Sequence, residues 1–581
     1  MTLPEFLNPE KIIPISRSTT LIFKTGSWSN KLPLYQEKAS PCREACPIGN
    51  NIPVALFHAS QGDMDGALAA FLEENPLPGV CGHVCYHPCE VRCNRGQWDD
   101  ALQIRAIERA ASEYGSVVPE IISREGANYP VAVIGSGPAG LSCSYHLVRL
   151  GHPVTVFERE DAPGGLMRYG IPSYRLPIDV LERDLQRIFS LGIEIQTGVA
   201  ANKTFIEGLL EKYHAVFIAL GAHQGLMPEL PGVDLKGVMV GLDFLKEVKR
   251  NQRQDIKGKV LVIGGGNVAI DVAMTAKRLG AEVVELVCLE TRDEMPAHEK
   301  DRQDALEEGV IFRNGWGPKR ILGKGDRVSG VEFVRCVSLF DTHGSFNPVF
   351  EEKETFYRDA EVVIFAIGQR PDLERYQLKE LIQEADKEDI LIHHDPEKTS
   401  MSRLFGGGEM IHFPSSVAEA IAAGKNAALS IHLTLTGLET NERKRKILIG
   451  AGPSFSINES YRPAPHRDLG QVVTFQDVDS VFLDHQPSVP IPRLAPEKRG
   501  DNFERIEKTL AKETTLKEAK RCFVCGICTG CDRCFIYCPD VCISPPKNSE
   551  ACYEADEAYC KGCGVCVSVC PRGIITMGDK G

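Results

Sequence analysis

No apolar run in this 581-residue chain reaches the roughly 18–20 residues that a membrane-spanning helix needs, so no membrane insertion is expected. The start, Met1 to Ser16, lacks a basic stretch followed by an apolar core and a small-residue cleavage site; no secretory leader is expected. Positive charge is in deficit. Lys and Arg number 66 against 79 Asp and Glu, a net charge of −13, which argues against a broad nucleic-acid surface because phosphate binding needs clustered cations. Apolar content of 43% and charged content of 25% leave no room for a disordered or collagen-like reading. At about 100–200 residues per domain, the length implies three to five domains.

Cysteine is scarce in the long middle, where only Cys143, Cys288 and Cys336 occur, and crowded at both ends. Of the 21 cysteines, six lie between Cys42 and Cys93 and twelve between Cys522 and Cys570. A secreted disulfide framework fits poorly with a large chain whose cysteines fall at metal-ligand spacings. Reduced thiols in a cytoplasmic protein point to metal instead.

Short apolar runs read as buried strands: Tyr129–Ile134, Val154–Glu158, Ala215–Leu220, Lys259–Ile263, Val283–Leu289 and Glu361–Ile367. Helical patterns lie between several of them, which predicts parallel sheets. Residues 1–40 read as irregular. Residues 50–115 read as helices between cysteine-bearing loops, with Ala101–Ala111 the clearest. Residues 440–510, rich in Pro, Arg, Asp and Asn, read as a linker that wraps or tethers.

Two glycine-rich turns each follow a strand and open a helix. In the first, Gly135-Ser-Gly137-Pro138-Ala139-Gly140, one glycine permits the tight turn, the next lets backbone approach a pyrophosphate, and the third lets helix and strand pack closely. The helix Leu141–Leu150 then offers unpaired N–H groups to the phosphates. Glu158, at the end of the next strand, is placed for ribose hydroxyls. The second turn is Gly264-Gly265-Gly266-Asn267-Val268-Ala269, and its following strand ends at Glu290. A carboxylate there accepts from a 2′-hydroxyl and repels a 2′-phosphate, which favours NADH; Arg292 nearby leaves a phosphate role open. Two such sites suggest a flavin and a nicotinamide.

Residues about 130–435 resemble the pyridine-nucleotide-dependent flavoproteins of the glutamate synthase small-subunit family. The segments Phe157-Glu-Arg-Glu-Asp-Ala-Pro-Gly-Gly-Leu-Met-Arg-Tyr-Gly-Ile-Pro172, Ala366-Ile-Gly-Gln-Arg-Pro-Asp372, Phe405-Gly-Gly-Gly-Glu409 and Val417-Ala-Glu-Ala-Ile-Ala-Ala-Gly424 carry the resemblance. It implies FAD at the first turn, NAD(P)H at the second, and the nicotinamide domain inserted into the FAD domain. Gly164, Gly165, Leu166, Arg168, Gly368, Gly408, Glu409 and Val417 would then line the FAD site, with Glu409 in place of the family's usual aspartate. Members that use NADPH tend to carry an arginine pair where this chain has Leu289-Glu290, which agrees with NADH.

The C-terminal run Cys528-x2-Cys531-x2-Cys534-x3-Cys538-Pro539 is repeated as Cys560-x2-Cys563-x2-Cys566-x3-Cys570-Pro571. This is two-cluster ferredoxin spacing, in which the fourth cysteine of each run serves the other [4Fe–4S] cluster. The expected sets are Cys528, Cys531, Cys534 and Cys570, and Cys560, Cys563, Cys566 and Cys538. Cys522, Cys525, Cys542 and Cys552 are read as non-ligands. At the N-terminus the resemblance implies one cluster on Cys46, Cys85, Cys89 and Cys93. A second family cluster would need two cysteines where this chain has Leu34 and Glu37, so it is expected to be absent or differently ligated. A site from Cys42, Cys81 and Glu108 stays open.

The expected architecture is multidomain. It comprises an α-helical iron–sulfur domain (1–125), a Rossmann-like α/β FAD domain (126–230 and 356–438), and an inserted Rossmann-like NAD(P)H domain (231–355). A linker (439–515) and an α+β two-cluster ferredoxin domain (516–581) follow. The expected function is hydride transfer between NADH, or NADPH, and FAD. Single electrons then pass through three [4Fe–4S] clusters to a partner redox enzyme or ferredoxin, in either direction. No side-chain acid–base group is required, because hydride transfer is cofactor chemistry. The fusion resembles electron-input subunits of reverse dissimilatory sulfite reductase, 2-oxoacid and aromatic-ring-reducing systems. A flavin-bifurcating transhydrogenase subunit and a cluster-bearing non-catalytic scaffold remain as alternatives, and a homodimer or a subunit of a larger complex as assemblies.

Overall fold

The computed structural model describes residues 24–121, 128–374, 376–378, 403–410, 416–437, 447–452, 454–464, 466–481, 483–500, 502–546 and 553–580. Cys552 lies outside the described residues.

Two five-stranded parallel sheets organise the centre of the described chain. The first has the order Leu404–Gly406, Ala215–Ile218, Val131–Ile134, Val154–Phe157, Glu194–Gln196. Its inner strands are continuous buried apolar runs, as a sheet covered on both faces requires. The second has the order Ile311–Asn314, Val283–Cys288, Lys259–Ile263, Val362–Phe365, Val238–Val240. A three-stranded antiparallel sheet, Trp316–Lys324, Arg327–Phe340 and Phe346–Asp359, packs beside it. The second sheet interrupts the first, since among the described residues the chain returns to the first sheet at Leu404–Gly406. The boundary expected at 355/356 therefore falls too early. Val362–Phe365 pairs with Lys259–Ile263 and belongs to the inserted domain. A four-residue apolar run carries no mark of which sheet it will join, hence the displaced boundary.

The helix Val417–Thr436 packs along Pro138–Arg149. The two approach so closely at Gly424 that a Cβ there would stand 2.1 Å from the Ala139 carbonyl oxygen. Ser416 and Glu419 cap this helix reciprocally: the Ser416 hydroxyl accepts from Glu419 N at 3.2 Å, and the Glu419 carboxylate accepts from Ser416 N at 2.7 Å.

Helices fill the expected stretch 50–115, preceded by Pro41–Ala45, a helix not expected from the sequence, and the helix predicted over Ala101–Ala111 spans Ile104–Tyr114. Residues before them are more ordered than the sequence suggests. Lys31–Tyr35 pairs antiparallel with Ile575–Asp579, and Glu37–Ala39 pairs parallel with Arg467–Val472. The described part of the expected linker is a strap laid on the helical domain. Glu507 receives Arg105 at 2.9 Å and Arg109 at 2.8 Å, and the helix Lys512–Ala519 packs on Ile52–Ser60 and Ile104–Tyr114. The strap packs on the helical domain, and the strand Ile575–Asp579 pairs with the segment that leads into it.

Candidate active site and thiol clusters

The first glycine turn opens a cavity of about 250 Å³. Gly135 (φ +100°) sits where a Cβ would lie 2.4 Å from the Ala219 carbonyl oxygen, and a Cβ on Gly140 would strike the Gly135 carbonyl. These two glycines are therefore required by packing. Gly137 differs: a Cβ there meets no protein atom within 4 Å, and the residue lines the cavity. That open cradle beside a helix N-terminus fits a pyrophosphate. Glu158 is buried and accepts from Ser136 N at 2.9 Å, Ser136 Oγ at 2.5 Å and Glu160 N at 2.8 Å, which locks it against the turn.

Gly165, Leu166, Gly408, Glu409 and Val417 line the same cavity, as do Pro138 and Ala139. Gly164 (φ +127°) shapes the turn behind it. Arg168 is turned elsewhere; its guanidinium donates to the Pro163 carbonyl and to Glu182, both at 2.6 Å. Gly368 does not line the cavity, whereas its neighbour Gln369 does. The sequence did not single out His223 or Tyr376, which also line it and lie far from any glycine motif. Burial, with Lys246 and Arg159 adding to it, pushes the His223 imidazole down to about 3, so it is neutral at physiological pH.

The second glycine turn follows the same logic. Gly264 (φ +142°) has no room for a Cβ against the Ala366 carbonyl, and Gly266 is open. A Cβ on Gly265 would fall 2.5 Å from a Glu290 carboxylate oxygen, so Glu290 lies across the turn. Asn267 accepts from His298 N at 2.9 Å and thereby ties the turn to the loop after Glu290, on which Arg292 is exposed. Ala269 is buried behind the turn. Val268 and Asp271, from the helix that this turn opens, line the first cavity together with Pro138 and Ala139. The two nucleotide sites thus share a wall.

The thiols form separate groups. Cys528, Cys531, Cys534 and Cys570 line one cavity of about 20 Å³, with Tyr35 and Tyr553. Cys566 stands within electrostatic reach of Cys560 and Cys563, and Cys542 contacts Cys538 at 3.6 Å and adjoins Cys560. The first expected set thus lines one cavity, and in the second Cys542 stands between Cys538 and Cys560. Near the N-terminus, Cys46 and Cys85 are within reach of Cys89. Glu108 and Cys81 are buried beside Cys46 and Cys85. Burial raises the Glu108 carboxyl to about 8, while Asn75 and Asn50 donate to it at 2.9 and 3.3 Å. Cys93 is not with this group. It lines a different cavity with Cys42, Cys522 and Cys525, so Cys42 does not meet Cys81 and Glu108 in one site.

Among the described residues no three His, Cys, Asp or Glu side chains converge tightly enough to hold a single metal ion. The doubled Cys-x2-Cys-x2-Cys spacing with a distant fourth cysteine is that of two [4Fe–4S] cubes.

Three family models match this chain. The family model described as pyridine nucleotide-disulphide oxidoreductase matches residues 129–424. A model described as dihydropyrimidine dehydrogenase domain II, 4Fe-4S cluster, matches 35–117, and a 4Fe-4S binding domain matches 553–576. The chain is 34% identical over 422 residues to the NADP(+)-dependent formate dehydrogenase subunit beta of Moorella thermoacetica, covering 68% of this chain and 59% of that protein. It is 38% identical over 345 residues to the NADPH-Fe(3+) oxidoreductase subunit beta of Geobacter sulfurreducens, covering 58% of this chain and 51% of that one. It is 31% identical over 404 residues to the NAD-dependent dihydropyrimidine dehydrogenase subunit PreT of Escherichia coli, covering 68% and 92%. The chain thus spans little more than half the length of the first two relatives. Among the described residues no helix is long and apolar enough to cross a membrane.

Proposed function

Because this chain belongs to the pyridine nucleotide-disulphide oxidoreductase family, we propose that it is an NAD(P)H-dependent iron–sulfur flavoprotein oxidoreductase that exchanges electrons with a protein redox partner or a ferredoxin. The observation that carries this reading is the shared wall: Val268 and Asp271 of the second nucleotide turn face the cavity built on Gly135–Ala139. FAD, when bound, would supply the conversion between the two electrons of one hydride and single electrons.

The chain's own residues bind and orient. Gly137 and the amides at the start of Pro138–Arg149 receive the FAD pyrophosphate, and Glu158 is placed at the ribose end. Gly264–Gly266 and the helix Asn267–Arg278 do the same for the nicotinamide dinucleotide. Apolar side chains, Met167, Leu220, Leu242 and Val268, exclude water between the two sites. Asp271 is held by Arg175 at 2.9 Å. From the cavity a path leads to the N-terminal thiols. Ser416 and Val417 line the cavity, Glu419 lies one turn on, and its carboxylate accepts from Tyr86, which directly follows Cys85.

NADH is the favoured nucleotide, since the Glu290 carboxylate over Gly265 repels a 2′-phosphate. Two of the compared relatives carry NADP or NADPH in their names and one carries NAD, so the residue itself bears the argument. Anaerobic stopped-flow with both nucleotides, on wild type and Glu290→Arg, is the test. NADH should bleach the flavin faster in wild type, and Glu290→Arg should move the preference toward NADPH. Faster bleaching of wild type by NADPH overturns the nucleotide choice; no bleaching by either overturns the oxidoreductase.

A further inference from the structure

The cavity lined by Cys42, Cys93, Cys522 and Cys525 has the same volume, about 20 Å³, as the one between Cys528, Cys531, Cys534 and Cys570. Its thiols come from three segments: the helix Pro41–Ala45, the start of the turn Asn94–Gln97, and the loop after Lys512–Ala519. We propose that Cys42, Cys93, Cys522 and Cys525 hold a [4Fe–4S] cluster of their own, a relay between the helical domain and the C-terminal cysteine runs. The relay half rests on the oxidoreductase reading above; the site does not.

The backbone is the first argument. In Cys528-x2-Cys531 the residue before the second cysteine, Gly530, and the one after it, Asp532, have φ of +64° and +59°. In Cys560-x2-Cys563 the corresponding pair, Gly562 and Gly564, have φ of +67° and +76°. Cys522-x2-Cys525 repeats the pattern with Val524 at +49° and Gly526 at +80°. A β-branched residue in the left-handed region costs on the order of 1–3 kcal/mol and persists where function requires it. Such turns aim backbone N–H groups into an anion-binding hollow of the kind found at iron–sulfur sites. The segment 522–526 is therefore built as a third ligand loop, with Val524 standing where the other two have Gly530 and Gly562.

The surroundings suit thiolates. Val524 N donates to Cys522 Sγ at 3.3 Å, the buried Asn94 amide donates to Cys525 Sγ at 3.5 Å, and the Ser40 hydroxyl lies 3.1 Å from Cys42 Sγ. One arginine is placed against the negative charge of a four-thiolate cluster: Arg572 lies within electrostatic reach of Cys522 and Cys525, whereas Arg95 is paired with Asp99. Arg95 lines the cavity with its guanidinium 4.9 Å from the Phe523 ring centroid, and Arg572 donates to the Phe523 carbonyl. The loop is fixed rather than draped. Lys38 N donates to the Gly526 carbonyl at 2.9 Å, and the buried Arg521 binds Glu518 at 2.6 Å and Asp99 at 3.1 Å.

Position supplies the function. Cys42 is within electrostatic reach of Cys89 on one side, and Cys525 precedes Cys528 by three residues on the other. The cluster accepts one electron from a cluster on Cys46, Cys85 and Cys89, where the buried Glu108 or Cys81 stands beside Cys46 and Cys85 to take the place Cys93 does not fill, and gives it to the one held by Cys528. No bond forms or breaks and no proton moves; the two electrons of one hydride need two passes.

The test uses the full chain, prepared anaerobically. Iron and sulfide analysis with native mass spectrometry should find four clusters in wild type, about sixteen irons, and three, about twelve irons, in Cys522→Ala/Cys525→Ala. Flavin content and its bleaching by NADH should be unchanged in that variant. Low-temperature EPR should show its C-terminal clusters reduced by dithionite but reduced by NADH at least tenfold more slowly than in wild type. Cys42→Ala, on the opposite wall, should lose the same cluster. A wild type with about twelve irons, or with one zinc that the variants lose, overturns the site, and this count stands even if the variants misfold. Four clusters with a flavin that neither nucleotide bleaches would leave the site standing and sink the oxidoreductase reading.

Discussion

The phenol of Tyr86 donates to the Glu419 carboxylate at 3.2 Å, joining the loop that carries Cys85 to the first turn of the helix bordering the FAD cavity. Burial, reinforced by the carboxylate, raises this phenol to about 12, so it remains a donor at physiological pH. Its ring also stacks on His298 of the inserted domain, with centroids 5.2 Å apart. Three domains meet at one side chain. Tyr86→Phe keeps the stacking and removes the bond, which as a hydrogen bond to a charged group contributes about 1.5–3 kcal/mol. Flavin bleaching by NADH should be unchanged, while the following cluster reduction should slow severalfold in stopped-flow traces. Equal rates in both phases would remove Tyr86 from the path.

Glycines open to the cavity allow binding to be tested without unfolding. Gly137→Ala and Gly266→Ala each add a methyl group that meets no protein atom within 4 Å. Thermal unfolding should therefore be unchanged. Gly137→Ala should weaken FAD retention, and Gly266→Ala should weaken NADH binding, each by about tenfold or more, equivalent to ~1.4 kcal/mol. Gly140→Ala is the contrast: its Cβ would collide with the Gly135 carbonyl, and the protein itself should lose stability.

Lys425 and Glu74 form a buried pair at 2.9 Å. Lys425 also donates to the Ile48 and Phe455 carbonyls, and Glu74 accepts from Ser456 Oγ and Ile457 N. This knot ties the helical domain, the FAD domain and the strap together. Lys425→Met should leave the carboxylate uncompensated and destabilise by about 3–5 kcal/mol. Lys425→Met/Glu74→Gln should recover part of that loss. Denaturant unfolding of the two variants measures both.

Asp184 joins Pro78–Val84 to the FAD domain, accepting from Val80 N at 2.9 Å and Arg187 at 2.8 Å. Burial raises its carboxyl to about 6, against the opposing pull of Arg187. In the unfolded chain an aspartate titrates near 3.9, so between about pH 4 and 6 the folded state binds more protons. This group's contribution to stability should therefore fall as pH rises through that window, by up to about 1.4 kcal/mol per pH unit. Asp184→Asn should flatten the slope of unfolding midpoint against pH there. An unchanged slope would refute the assignment.

Residues close together in the chain made much of this protein legible. A strand, a glycine turn and a helix are contiguous, and the turn geometry follows from where a Cβ has no room, as at Gly135 and Gly264. The repeated Cys-x2-Cys-x2-Cys runs are local as well, and Cys528, Cys531 and Cys534 of one run line a single cavity. What spacing does not reveal is what a loop will face. Arg168 sits inside a flavin motif yet turns to Glu182, and Val362–Phe365 resembles the strands of either sheet but joins the second.

The sequence by itself determined the local binding turns, because steric room for glycine and ligand spacing are properties of a few consecutive residues. Only the tertiary structure decided which distant groups share a site. It placed Cys93 and Cys42 with Cys522 and Cys525, from opposite ends of the chain, and set Val268 against the FAD cavity. The reason is physical. Packing of the strap and of Lys31–Ala39 against both ends brings these groups together, and long-range packing leaves no periodic trace in the residues it joins.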